Sequence, residues 1–101
     1  MSTPVYPKRE PELIAFYARV QGRVQGVGFR YSAAREAQRL RLNGWVRNVE
    51  NGDVEIWAEG PPERIELFFA WLWRGPEYSR VDSVDKEDRE PKGYSDFSIV
   101  R

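Results

Sequence analysis

The sequence predicts an α+β sandwich, in which an antiparallel sheet carries two helices on one face and ends in a short C-terminal strand. Three observations lead there. Four segments are rich in β-branched and aromatic residues or alternate with a period of two. Two others repeat their apolar residues at the helical period, and the order along the chain is strand, helix, hairpin, helix, strand.

Each element has its own signal. Residues 1–12 hold three prolines, which preclude regular pairing, and read as a flexible N-terminal arm; residues 13–101 are the expected domain. Residues 13–20 read as the first strand. Three glycines within residues 22–28 make the next segment a loop. From Phe29 the period changes, with Phe29, Ala33, Ala37 and Leu40 on one helical face, and Asn43-Gly44 is the expected left-handed stop. Residues 45–50 and 53–59 form a hairpin about Asn51-Gly52, where a type I′ turn is expected. In the second of these strands Val54, Ile56 and Ala58 share one face and Glu55, Trp57 and Glu59 the other, so the sheet is expected to have a buried side and a wetter side.

Pro61-Pro62-Glu63 opens the second helix, whose core face is Ile65, Phe68, Phe69 and Leu72, and Gly75-Pro76 closes it. Residues 80–88 read as a strand although Val81 and Val84 do not alternate cleanly, and residues 96–100 read as a short final one. This succession is the split βαβ, ferredoxin-like arrangement.

Composition narrows the chemistry. With 101 residues the chain fits one domain. It contains no cysteine and no histidine, which removes the thiolate nucleophile, the commonest general base and the commonest zinc ligand. Sixteen basic residues balance sixteen acidic ones, so no global field draws the protein to nucleic acid or to anionic membrane. Residues 1–12 have no apolar stretch of the signal-peptide kind, and a cytoplasmic location is expected.

The candidate site is the run Gly22-Arg23-Val24-Gln25-Gly26-Val27-Gly28-Phe29-Arg30, between the first strand and the first helix. Glycines let main-chain N–H groups turn inward, and the helix start favours an anion through unpaired amides and its dipole. Arg30 adds a planar, permanently charged fork. A glycine-rich turn also arises for packing alone, and this is neither a Walker loop nor a dinucleotide fingerprint. A second run, Gly44-Trp45-Val46-Arg47-Asn48, brings a carboxamide into the hairpin, where it orients water or serves the sheet as a hydrogen-bonder.

At these residues the sequence resembles the acylphosphatase family. Residues 20–30, Val-Gln-Gly-Arg-Val-Gln-Gly-Val-Gly-Phe-Arg, look like its first signature. Gly44-Trp45-Val46-Arg47-Asn48, followed by Gly52-Asp53-Val54-Glu55 and Gly60, looks like its second. The similarity covers residues 13–101 and agrees with the ferredoxin-like order.

The resemblance implies a hydrolase that splits acyl phosphates into carboxylate and inorganic phosphate. By the same resemblance Arg30 binds the phosphate and Asn48 positions the attacking water. Gln25, Gly26, Val27, Gly28 and Phe29 supply main-chain amides. The expected substrate is a small acyl phosphate and the expected enzyme a monomer, with no metal, no organic cofactor, no nucleic acid and no membrane involved.

The alternative is a non-catalytic phosphate- or RNA-binding module of the same fold, with Phe16, Tyr17 and Trp57 as stacking platforms. The absence of an RNP1 pattern, the zero net charge and the acidic neighbours of Trp57 weigh against it.

Overall fold

The order of elements in the computed structural model, which describes residues 12–101, is the expected one. It runs β1 (Ile14–Arg23), α1 (Phe29–Arg39), β2 (Asn43–Asn48), β3 (Val54–Gly60), α2 (Pro62–Arg74), β4 (Arg80–Arg89) and β5 (Phe97–Ile99). The expected N-terminal arm lies outside the described residues, apart from Glu12. One sheet has the order β4-β1-β3-β2-β5. The first four strands are antiparallel, and β5 is added to the free edge of β2 in parallel.

Both helices pack on the face formed by Phe16, Ala18, Val20, Val46, Val54, Ile56 and Ala58. The helical face expected of α1 is there: Phe29, Ala33, Ala37 and Leu40 are all buried. From α2 come Ile65, Phe68 and Leu72, with Phe69 partly covered. Aromatic rings bind the layers together. Phe68 lies 6.4 Å from Phe16 and meets Phe97 edge-on at 5.8 Å, while Phe29 meets Trp71 at 5.6 Å to join the two helices.

Three local expectations change. First, α1 stops at Leu40, before Asn43-Gly44. Arg41 takes the left-handed conformation at φ 57°, and its N–H donates to Gln38 while that of Leu42 donates to Ala37, a Schellman cap. Burial decides this, because an earlier stop places both Leu40 and Leu42 in the core. Gly44 serves instead inside β2, where a Cβ would run into the carbonyl of Trp57 on the adjacent strand.

Second, the hairpin turn is not type I′. The Gly52 N–H donates to the Val49 carbonyl, so Glu50 and Asn51 are the central residues, and positive φ falls on Gly52 but not on Asn51. This is a three-residue loop closed by a glycine. Asn51 turns its side chain to the loop, accepting from the Asp53 N–H.

Third, the expected wetter side of β3 is buried too, at every position of the strand. Polar partners make that tolerable. Glu55 accepts from Tyr17 Oη at 2.5 Å and from Arg47 Nε at 2.6 Å. Glu59 accepts from Trp57 Nε1 and from the successive main-chain amides of Lys92, Gly93 and Tyr94. Burial raises the pKa of both carboxyls, yet these hydrogen bonds outweigh it and leave both below the ordinary range.

Strand β1 also runs farther than expected, through Gly22 and Arg23, because a bulge after Gln21 keeps these residues paired with Val81 and Arg80 of β4. The segment between β1 and α1 is thereby reduced to residues 24–28, anchored at both ends by regular structure.

Candidate active site

Residues 24–28 turn through two left-handed glycines, Gly26 at φ 74° and Gly28 at φ 78°. A Cβ at either position would touch nothing within 4 Å, so these glycines are required by backbone conformation and not by space. Gly28 is also the N-cap of α1. It offers no side-chain acceptor, and the first turn of the helix has no acidic residue. Among the described residues the amides of residues 25–30 donate no well-formed backbone hydrogen bond. The loop therefore presents a run of unspent donors at the positive end of a helix dipole.

Arg30 stands in the first turn of α1 and forms no salt bridge among the described residues. Facing the loop is Asn48, the last residue of β2, in register with Val54 of β3. Its Oδ1 is buried and has no hydrogen-bond partner among the described residues. A buried, unsatisfied acceptor costs about 1–3 kcal/mol, so its retention at this position needs a reason outside packing.

The two parts meet in one cleft of about 190 Å³, lined by Gln25, Gly26, Gly28, Phe29, Arg30 and Asn48. The volume suits a tetrahedral oxyanion with a water, at about 30 Å³ of liquid per water, and is too small for a drug-sized ligand. None of the lining residues carries a carboxylate. Among the described residues no group of three or more Asp, Glu, His or Cys side chains is placed to hold a metal ion. What converges is a guanidinium, free amides and one orphan carbonyl oxygen, a donor set for an oxyanion with an acceptor beside it.

The acylphosphatase family model matches residues 16–99. The chain belongs to the acylphosphatase family. The acylphosphatase of Thermococcus kodakarensis is 48% identical over 84 residues, which are 83% of this chain and 92% of that one. The crystal structure of acylphosphatase from Bacillus subtilis superimposes with a TM-score of 0.85 at 40% identity, covering 87% of this chain and 99% of that one. An acylphosphatase structure from Coxiella burnetii gives 0.87 at 38% identity, covering 94% and 100%. The protein is accordingly an enzyme, an acylphosphatase acting on small acyl phosphates, with the fold expected.

Of the residues singled out in the sequence, five of the loop positions and Asn48 line the cleft of this acylphosphatase; Val27 does not, and packs partly buried against the core. Val24, within the candidate run but given no role of its own, lines the cleft too, while two lining residues were not foreseen, Tyr31 and Ile99. Ile99 arrives because β5 pairs with β2 at Val46, a parallel contact with no local signal. Also unforeseen is the side chain of Gln25, whose Nε2 donates to the carbonyls of Val49 and Asp53 and so ties the loop to the hairpin.

The hairpin end is held from the other side by Asp53. The guanidinium of Arg19, at 2.7 Å from Oδ2, keeps that carboxyl below its ordinary range, assisted by Gln21 and Asn51. The stacking platforms of the RNA-binding alternative are taken up by the protein itself, Tyr17 by its hydrogen bond to Glu55 and by Arg89 at 5.9 Å from the ring centroid. Phe16 is fully buried beneath the helices, and Trp57 is 5% exposed beneath Lys92, whose Nζ lies 4.5 Å from the ring centroid.

Proposed function

We propose that Arg30 and the free amides of residues 25–30 hold the phosphoryl group of an acyl phosphate, and that Asn48 holds the water that attacks it. The observation that carries this reading is the buried, unpartnered Oδ1 of Asn48 in the same cleft as an unpaired guanidinium and unspent amides. A water donating one hydrogen to Oδ1 satisfies that oxygen and directs a lone pair at phosphorus.

In the step itself, the water oxygen forms a new P–O bond while the anhydride P–O bond opposite breaks, and the carboxylate leaves with that electron pair. Such a leaving group needs no general acid, so transition-state charge on the three equatorial oxygens is the main demand. Arg30 meets it with two parallel N–H groups, and the loop amides meet it with fixed dipoles that need no reorganisation. A carboxamide is not a base, so the water proton passes to a phosphoryl oxygen of the substrate. Residues 13–101 are sufficient for this chemistry, because every participating group comes from β1–α1 and β2 of a single copy. We take the enzyme to work as a cytoplasmic monomer, independent of nucleic acid, consistent with its zero net charge.

Hydrolysis of benzoyl phosphate in ¹⁸O-labelled water tests the reading. Phosphorus NMR is expected to show the label in inorganic phosphate, which should also inhibit competitively. Label found in benzoate would mean attack at carbon and would refute the placement of water by Asn48.

A further inference from the structure

Beside the catalytic cleft runs a larger groove of about 1000 Å³ between α1 and the end of α2. Tyr31 lines both. A phosphoryl group and a water occupy most of the cleft, which leaves no room for a bulky acyl chain as well. In-line displacement sends the leaving carboxylate away from the Asn48-held water, so the acyl group must extend beyond the cleft.

The groove is polar and carries excess positive charge. Its acidic residues are Glu36 and Glu77, against Arg35, Arg39 and Arg74. Arg39 is spent on Glu36, through Nε at 3.0 Å and Nη2 at 2.6 Å. Arg35 and Arg74 have no carboxylate within salt-bridge distance among the described residues. Arg35 lies 5.7 Å from the centroid of the Tyr31 ring, one helical turn away, and that ring is 61% exposed. An aromatic wall leading to unpaired guanidinium groups suits a ligand with an apolar body and an anionic far end.

Resting on the proposed roles of Arg30 and Asn48, we infer that this groove, through Tyr31, Arg35 and Arg74, is the acyl subsite and favours acyl phosphates whose acyl group bears a second negative charge. Two substrates separate this from the phosphoryl chemistry: 4-carboxybenzoyl phosphate and 4-methylbenzoyl phosphate. They share size, rigidity and a similar leaving-group reactivity, and differ in the charge at the far end.

The wild-type enzyme is expected to prefer the carboxylated substrate in kcat/KM by about fivefold at low salt, as partly exposed ion pairs allow. In the R35Q/R74Q variant the preference should fall to about one. Because the result is a ratio, any common effect on folding or on the phosphoryl cradle cancels. Added salt should erode the wild-type preference in the same direction. A wild-type ratio of one or less, or a ratio unchanged in the variant, overturns the subsite while leaving the phosphoryl site intact. Failure to hydrolyse either substrate overturns both.

Discussion

Gln25 Nε2 donates to the Val49 carbonyl at 2.7 Å, so a side chain from the glycine loop is fastened to the residue that follows Asn48. A second bond at 2.8 Å reaches the Asp53 carbonyl across the mouth of the same hairpin. Both carbonyls already accept one main-chain N–H, from Gly52 and Val49 respectively, and Gln25 fills the remaining lone pairs. The two halves of the candidate site are thus registered by one carboxamide.

Removing it should separate them. Q25A is expected to fold with a loss of about 1–3 kcal/mol, the worth of two hydrogen bonds, and to lower kcat well beyond what that loss explains. Urea unfolding and steady-state kinetics on benzoyl phosphate read the two effects. Activity at the wild-type level in the folded variant would show that the tie is structural only.

Arg30 is the sole guanidinium lining the cleft. R30A should reduce turnover by roughly 10³-fold, and R30K should recover little of it, because an ammonium lacks the planar fork. Isothermal titration with inorganic phosphate should show the matching loss of affinity. An alanine variant with near-normal turnover would remove Arg30 from the mechanism.

Asn48 presents the opposite balance. Its buried Oδ1 has no partner among the described residues, so N48A relieves an unsatisfied group while deleting the group proposed to hold the water. The variant should unfold at a urea concentration no lower than wild type, bind phosphate with similar affinity, and lose most of its turnover. A substantially destabilised but active variant would contradict that assignment.

Acid should attack the outer face of the sheet before the core. The carboxyls of Asp53, Glu55 and Glu59 all lie below their ordinary range in the folded protein, Asp53 chiefly through the hydrogen bond from Arg19 and the other two because hydrogen bonds outweigh burial. Groups lowered on folding contribute stability above their unfolded pKa, and that contribution is lost as pH falls through the folded value. The unfolding midpoint should therefore hold steady near neutrality and drop below about pH 4. In E59Q part of that slope should vanish; a midpoint independent of pH down to about pH 2.5 would show that these carboxyls carry no such linkage.

The rate should be far less sensitive. With no histidine or cysteine in the chain and no carboxylate lining the cleft, no protein group there is expected to gate the chemistry near neutrality. A plot of kcat between about pH 6 and pH 8 should be flat, and a bell shape would point to an acid–base pair elsewhere.

What was legible beforehand follows from range. The helical faces of α1 and α2, the glycine loop and the parity of Val54, Ile56 and Ala58 are read from neighbours a few residues apart, and each is found. The αL residue went to Arg41 and not to Asn43-Gly44 because burial of Leu42 overrides local turn preference, and no local pattern reports burial. The double-sided burial of β3 likewise depends on residues 92–94, more than thirty positions away, folding back over Trp57 and Glu59. Of the site, the residue types announced an anion cradle, but Ile99 and the Gln25 tether arise from pairings made only in three dimensions.

The segment that folds back over β3 has a wider meaning. There three consecutive peptide groups, with Gly93 at φ 85°, converge on the carboxylate of Glu59, a side chain of the same molecule. Residues 25–30 offer a similar run of main-chain amides, with no acidic side chain among the described residues to fill it. One concavity is thereby sealed as architecture, the other stays open for the phosphoryl group proposed to enter it, and what separates them is an acidic side chain within arm's length. Planting such an acid beside the glycine loop should close the enzyme with its own inhibitor.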